Sequence, residues 1–196
     1  MRPLRRLRQV AILAVLAIPA ACSSPNPRLY VIAPIPGPTR TGAPKAIELR
    51  QIGLARYLER SEIVRSSENY RLTVMSNDWW GEPLGAMLAR VLTAELRQRL
   101  PESTVYSDTG AFTLPRDATV AVDISRLDLD AQGRLVLRAE TATTLPRQKA
   151  PIARAYHFTV VPPVPGIGGE VAAISTAVGQ LADGIALTLT EGHGRR

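Results

Sequence analysis

The chain has 196 residues, a formal net charge of +7, a single cysteine and two histidines. One cysteine excludes an internal disulfide, and two histidines as far apart as His157 and His193 exclude a histidine-built metal centre. Four of the 24 Lys+Arg but none of the 17 Asp+Glu lie in the first 21 residues, so the remainder carries only about +3 and, lacking a basic run interleaved with aromatics, gives no sign of binding nucleic acid.

Residues 1–21 read as a cleavable secretory signal. Arg2, Arg5, Arg6 and Arg8 form a basic start, Val10 to Ala17 an apolar run, and Ala20-Ala21 a small-residue cleavage site. The apolar stretch is about a dozen residues long, short of the roughly 20 that span a bilayer as a helix. Cys22 follows directly, and this arrangement resembles that of bacterial lipoproteins, although Pro19 stands where their motif carries Leu or a similar aliphatic residue. The resemblance implies acylation of Cys22. Residues 22–28 then form a tether that spans at most about 20 Å.

Residues 29–192 read as one domain, with 193–196 a polar tail. Leu29 to Ala33 is a strand ended by Pro34 and Pro36, and Pro34 to Pro44 is a loop. Ala46 to Ile52 alternates Ile47 and Leu49 with Glu48 and Arg50, the pattern of a half-buried strand. Tyr70 to Met75 is a further short strand. Over Glu82 to Leu100 the period becomes helical: Leu84, Met87, Leu88, Val91, Leu92 and Leu96 share a face, while Arg90, Glu95, Arg97, Gln98 and Arg99 fall elsewhere. Pro83 suits the first turn and Pro101 stops the helix.

Val105 and Tyr106 form a short strand. Ala118 to Asp130 is a longer one whose apolar parity slips near Ser125 and Arg126, which predicts a bulge. Asp130 to Gly133 turns the chain into Arg134 to Thr143, a hairpin. Ile152 to Val161 is the last strand, and Pro162 to Gly169 a connection. Glu170 to Glu191 is a second amphipathic helix with Gly192 as its predicted cap. The expected class is α+β: a single domain, with two amphipathic helices packed on an antiparallel or mixed sheet.

Candidate chemistry is sparse. His157 lies inside a strand pattern and is expected to be a hydrogen-bonded structural residue, and His193 belongs to the tail. Gly166, Gly168 and Gly169 lack the spacing and the Lys-Ser/Thr of a phosphate loop. Asp123, Asp128 and Asp130 are expected in solvent near a turn. No cofactor is implied, and no nucleophile context or Gly-x-Ser-x-Gly elbow points to an enzyme. Trp79-Trp80 is the stronger signal: adjacent residues diverge, so one should anchor the core and the other reach the surface, where tryptophan favours interfaces.

Three segments carry a family resemblance. Tyr57-Leu58-Glu59-Arg60-Ser61-Glu62-Ile63-Val64-Arg65, Asp78-Trp79-Trp80-Gly81-Glu82-Pro83-Leu84 and the hairpin from Val122 to Ala139 resemble, in order, motifs of the PqiC/YmbA lipoproteins, also called ABC-type transport auxiliary lipoproteins. Leu127 stands for a common Phe, and Thr141-Ala142 for a frequent Trp. The resemblance implies a non-enzymatic partner of an MCE-domain (mammalian cell entry) lipid-transport assembly, bound by its lipid to the periplasmic face of the outer membrane. Ser23 agrees, since Asp after the cysteine marks inner-membrane retention. It also implies a homo-oligomer as one option, because MCE partners form rings. Tyr57, Leu58, Ile63, Trp79 and Trp80 are the candidate partner contacts. Direct lipid binding in an apolar groove between helices and sheet stays open as the alternative.

Overall fold

A computed structural model describes residues 26–110, 114–146 and 148–194, without the side chain of His193. The signal segment and Cys22 lie outside the described residues.

The sheet is built on β7 (Ala118–Leu129), in which Val120, Val122 and Ile124 point to the core. Along one edge β7 pairs antiparallel with β8 (Leu135–Thr144), and β8 in turn with β9 (Ile152–Val160). The turn between β7 and β8 is closed by Asp130, whose Oδ1 accepts the N–H groups of Gln132 and Arg134 at 2.9 Å, and by Gly133 at φ +74°. The register of β7 and β8 shifts between Ile124 and Arg126, which is the predicted bulge.

The other edge of β7 is lined by one continuous stretch of chain running parallel to it in three steps. These are β2 (Ala46–Leu49), β3 (Gly53–Leu54) and β4 (Glu62–Ser66), in register with Ala118–Val120, Asp123–Ile124 and Leu129 respectively. A 3-10 turn over Arg56–Leu58 carries the chain between the last two. β2 continues outward to β6 (Thr104–Ser107) in parallel. β4 continues to β5 (Thr73–Trp80), antiparallel, and β5 to β1 (Arg28–Tyr30), parallel. The expected half-burial of the first of these steps is incomplete, for Glu48 is also buried and pairs with Arg116 at 3.3 Å.

Helices α1 (Leu84–Arg99) and α2 (Ile167–Gly194) pack against each other and against the sheet. Val91, Leu92 and Leu96 of α1 and Ile174, Val178 and Leu181 of α2 belong to one buried core. By composition α2 could span a membrane, yet its apolar residues from Val171 to Leu189, apart from Ala172 and the exposed Leu187, are buried within the protein, so it is the core helix of the domain. The α+β architecture with two helices on a mixed sheet is therefore as expected.

Further details differ from the expectations of the sequence. β5 runs through Trp80, so the tryptophans close a strand and do not merely precede α1. α2 begins at Ile167, directly after Gly166 at φ +89°, and passes through Gly192, which packs beside Leu145 and Ile152 and is no cap. Glu95 and Arg99 are buried, because their side of α1 is covered by the loop after β1 and by α2. His157 is exposed on β9, an edge strand with nothing packed over that position.

Candidate functional site

The two sequence segments singled out as partner-binding meet at one corner. Glu62 of β4 is in register with Trp79 of β5, and the Trp80 N–H donates to the Ser61 carbonyl at 2.7 Å. Along the strand Trp79 and Trp80 face opposite ways. Trp80 is buried and Trp79 is half-buried, its Nε1–H donating to the Ser76 carbonyl at 3.1 Å.

Burial divides the candidates. Leu58, Ile63 and Trp80 are core residues, so in this fold they shape the corner from beneath and are not contacts themselves. The surface falls to Trp79 and to a residue the sequence reading did not single out, Leu29. That side chain is 65% exposed and in register with Trp79 on the neighbouring β1, on the same face of the sheet. Only the pairing of β1 with β5, 50 residues away, reveals it. Arg28 fixes that pairing through an ion pair with buried Asp78 at 2.8 Å.

Tyr57 is held rather than free. Its hydroxyl donates to Asp128 Oδ2 at 2.9 Å, and burial followed by the neighbouring Asp128 carboxylate pushes the phenol up to about 12. Asp128, expected in solvent, is fully buried. The bulge at Ser125 turns it onto the side of the sheet away from the helices, opposite Val136, where Tyr57 and Arg126 (Nε at 2.9 Å) take its carboxylate. Arg126 also pairs with Glu68 in the loop between β4 and β5.

Beside the corner opens a groove of about 620 Å³. Its floor includes Ile52, Leu54, Trp80 and Leu84, and its rim Glu59, Arg60 and Glu82. The start of α1, which has no side-chain cap at Pro83, reaches it, and Gly85 and Ala86 line its wall. A groove with an apolar floor and a charged rim has room for an extended segment that carries an apolar side chain. The space between the helices and the sheet, by contrast, is filled by side chains. Among the described residues no three His, Cys, Asp or Glu side chains converge as a metal site.

The chain matches the ABC-type transport auxiliary lipoprotein component family over residues 30–186. It belongs to that family. As an auxiliary transport component the family is described by its place beside a transporter, and its members are lipoproteins, which sets this chain in the envelope. No curated protein matches the sequence significantly. Solved structures that share the fold include two crystal structures. One, of an uncharacterized protein, is 20% identical with a TM-score of 0.70, covering 83% of this chain and 97% of its own. The other, protein XCC0632 from Xanthomonas campestris, is 15% identical with a TM-score of 0.68, covering 84% and 96%.

Proposed function

We propose that this family member is a non-enzymatic adaptor, acylated at Cys22 and held to the periplasmic face of the outer membrane, that docks an MCE-domain protein of a lipid-transport assembly and so helps maintain membrane integrity. The observation that carries the docking role is the pairing of Glu62 with Trp79, which joins both motif segments into one corner where exposed Leu29 stands beside half-buried Trp79, with an open groove next to it. Half-exposed aromatic and aliphatic side chains around a groove are what a protein partner anchors on. The filled interior supports an adaptor over a carrier, since a phospholipid would need the volume that the core side chains occupy.

The test is crosslinking in the native envelope with a photoreactive residue at position 29, beside an intact Trp79, followed by affinity recovery and mass spectrometry of both the partner and the Cys22 peptide. An MCE-domain protein joined to position 29, with acylated Cys22, is the expected result. Recovery of no MCE-domain protein would reject the docking role. Phospholipid retained by delipidated Cys22→Ala protein in native mass spectrometry would favour the carrier reading.

A further inference from the structure

The strand register gathers three loops at one end of the sheet. Thr73 pairs with Ser66, Ser66 with Leu129, Leu129 with Leu135 and Leu135 with Val160. These five residues form a row about 19 Å wide, from a strand spacing of about 4.8 Å. Residues 67–72, 130–134 and 161–166 all project beyond that row.

Two of these loops carry large apolar side chains into solvent. Tyr70 is fully exposed, Leu72 is 43% exposed, and Val161 and Val164 are 71% and 56% exposed. The loops hold them there with some stiffness. Asn69 and Tyr70 both occupy the left-handed region, at φ 53° and 61°, an uncommon conformation for a tyrosine. Glu68 ties that loop to Arg126 of β7. Pro162, Pro163 and Pro165 restrict the other.

The loops' charges cancel: residues 66–72 hold Glu68 and Arg71, residues 130–134 hold Asp130 and Arg134 as an ion pair at 2.7 Å, and residues 161–166 hold none. An end that presents apolar tips at no net charge costs little to bring to a lipid headgroup layer, and tyrosine is enriched at that boundary.

What covers this end follows from the direction of β1. It runs parallel to β5 with Arg28 opposite Asp78, so the chain upstream of Arg28 heads toward the Thr73 end of the sheet. That end lies about 17 Å from Asp78, at roughly 3.3 Å per residue. The six steps from Arg28 back to Cys22 reach about 20 Å. At full stretch that tether is long enough for an acylated Cys22 to enter a membrane at the end where Tyr70, Leu72, Val161 and Val164 protrude.

We propose that these four side chains form a membrane-contact face that inserts in the lipid interface beside the N-terminal anchor. This rests on the acylation of Cys22 for its orientation. The face fixes the domain upright on the membrane, which leaves the Leu29–Trp79 corner and its groove to the side, open to a partner.

The experiment uses the absence of any other cysteine. An environment-sensitive thiol dye is placed at Tyr70→Cys, Val164→Cys or Glu102→Cys, the last an exposed control beside β6, in both the acylated protein and the Cys22→Ala background. Each is mixed with vesicles of phosphatidylethanolamine and phosphatidylglycerol. Dyes at 70 and 164 should shift to the blue on vesicle addition, and the dye at 102 should not. In the Cys22→Ala background, Tyr70→Ser or Leu72→Ser should each weaken vesicle partition about tenfold, with no dependence on salt.

Acylated Cys22 with aqueous dyes at 70 and 164 would overturn the face and leave the anchor standing. Blue-shifted dyes with unmodified Cys22 would do the reverse. Dyes already shielded before vesicles are added, or partition that collapses at high salt, would also overturn it, pointing to a protein cover or to ionic attraction.

Discussion

Arg99 Nε lies 2.6 Å from Asp183 Oδ1, joining α1 to α2, and the two partners are buried to very different degrees: 1% of the Arg99 side chain is exposed against 39% of Asp183. The same guanidinium donates to the carbonyls of Ile35 at 3.0 Å and Gly179 at 3.1 Å, so it pins the loop after β1 over both helices. Removing the arginine strands those acceptors inside the protein, whereas removing the acid leaves the guanidinium three carbonyls. Arg99→Ala should cost about 3–5 kcal/mol of unfolding free energy and Asp183→Asn about 1 kcal/mol. Denaturant unfolding reads both, and equal losses would contradict an anchoring role centred on Arg99.

Tyr57 and Asp128 form a second long-range link, between the 3-10 turn and the strand beyond the bulge. Tyr57→Phe should lose about 1–2 kcal/mol and remove the highest phenol from a spectroscopic titration, the one pushed up to about 12. In a double-mutant cycle with Asp128→Asn the two losses should not add, with a coupling of about 1 kcal/mol. Full additivity would mean that the hydroxyl and the carboxylate act separately.

These links mark the boundary of what a linear reading can reach. α1 and the β7–β8 hairpin are evident because their apolar periods, their prolines and the Asp130–Gly133 turn act locally. The slip of parity at Ser125 is visible in the same way. Its consequence for Asp128 is not, because Tyr57 and Arg126, the groups that cover the carboxylate, include one 71 residues away. Glu95 and Arg99 look like a solvated face for the same reason. Their partners, Ile35 and Asp183, are 60 and 84 residues distant. At the candidate corner the motif segments are readable, but which of their side chains remain outside depends on the pairing of β4, β5 and β1. That pairing buries Leu58, Ile63 and Trp80 and brings Leu29 beside Trp79.

Two buried acids give the stability a direction with pH. Burial raises Glu95 from 4.5 to about 7 despite the Ile35 N–H and Arg99, and it raises Glu170 from 4.5 to about 7 despite Arg65. Between those values the folded chain holds protons that the unfolded chain has released, so stability falls as pH rises from about 4.5 through 7. Each group costs up to about 3 kcal/mol above that window. Glu95→Gln keeps an amide oxygen for the Ile35 N–H and removes the titration. It should therefore raise stability at pH 8 relative to pH 5 and flatten the profile. Unfolding midpoints measured across that range check it, and an unchanged slope in both Glu95→Gln and Glu170→Gln would refute burial of these two carboxyls as the origin of the pH dependence.

The two tryptophans should separate stability from docking. Trp80 is 7% exposed within the core cluster, so Trp80→Ala should cost about 3–5 kcal/mol. Trp79 stands on the opposite face with its indole N–H tied only to the Ser76 carbonyl of its own strand, and Trp79→Ala should cost about 1 kcal/mol or less. Its loss should instead lower crosslinked recovery of the transport partner about tenfold or more, the size expected when a central aromatic anchor is truncated. Fluorescence supplies a reading that needs no partner. In Trp79→Phe the remaining emission should be blue-shifted and resistant to acrylamide, and in Trp80→Phe red-shifted and readily quenched. Equal quenching in both variants would place the two indoles in the same environment, against the alternation of β5, and would remove the surface from which the docking corner is built.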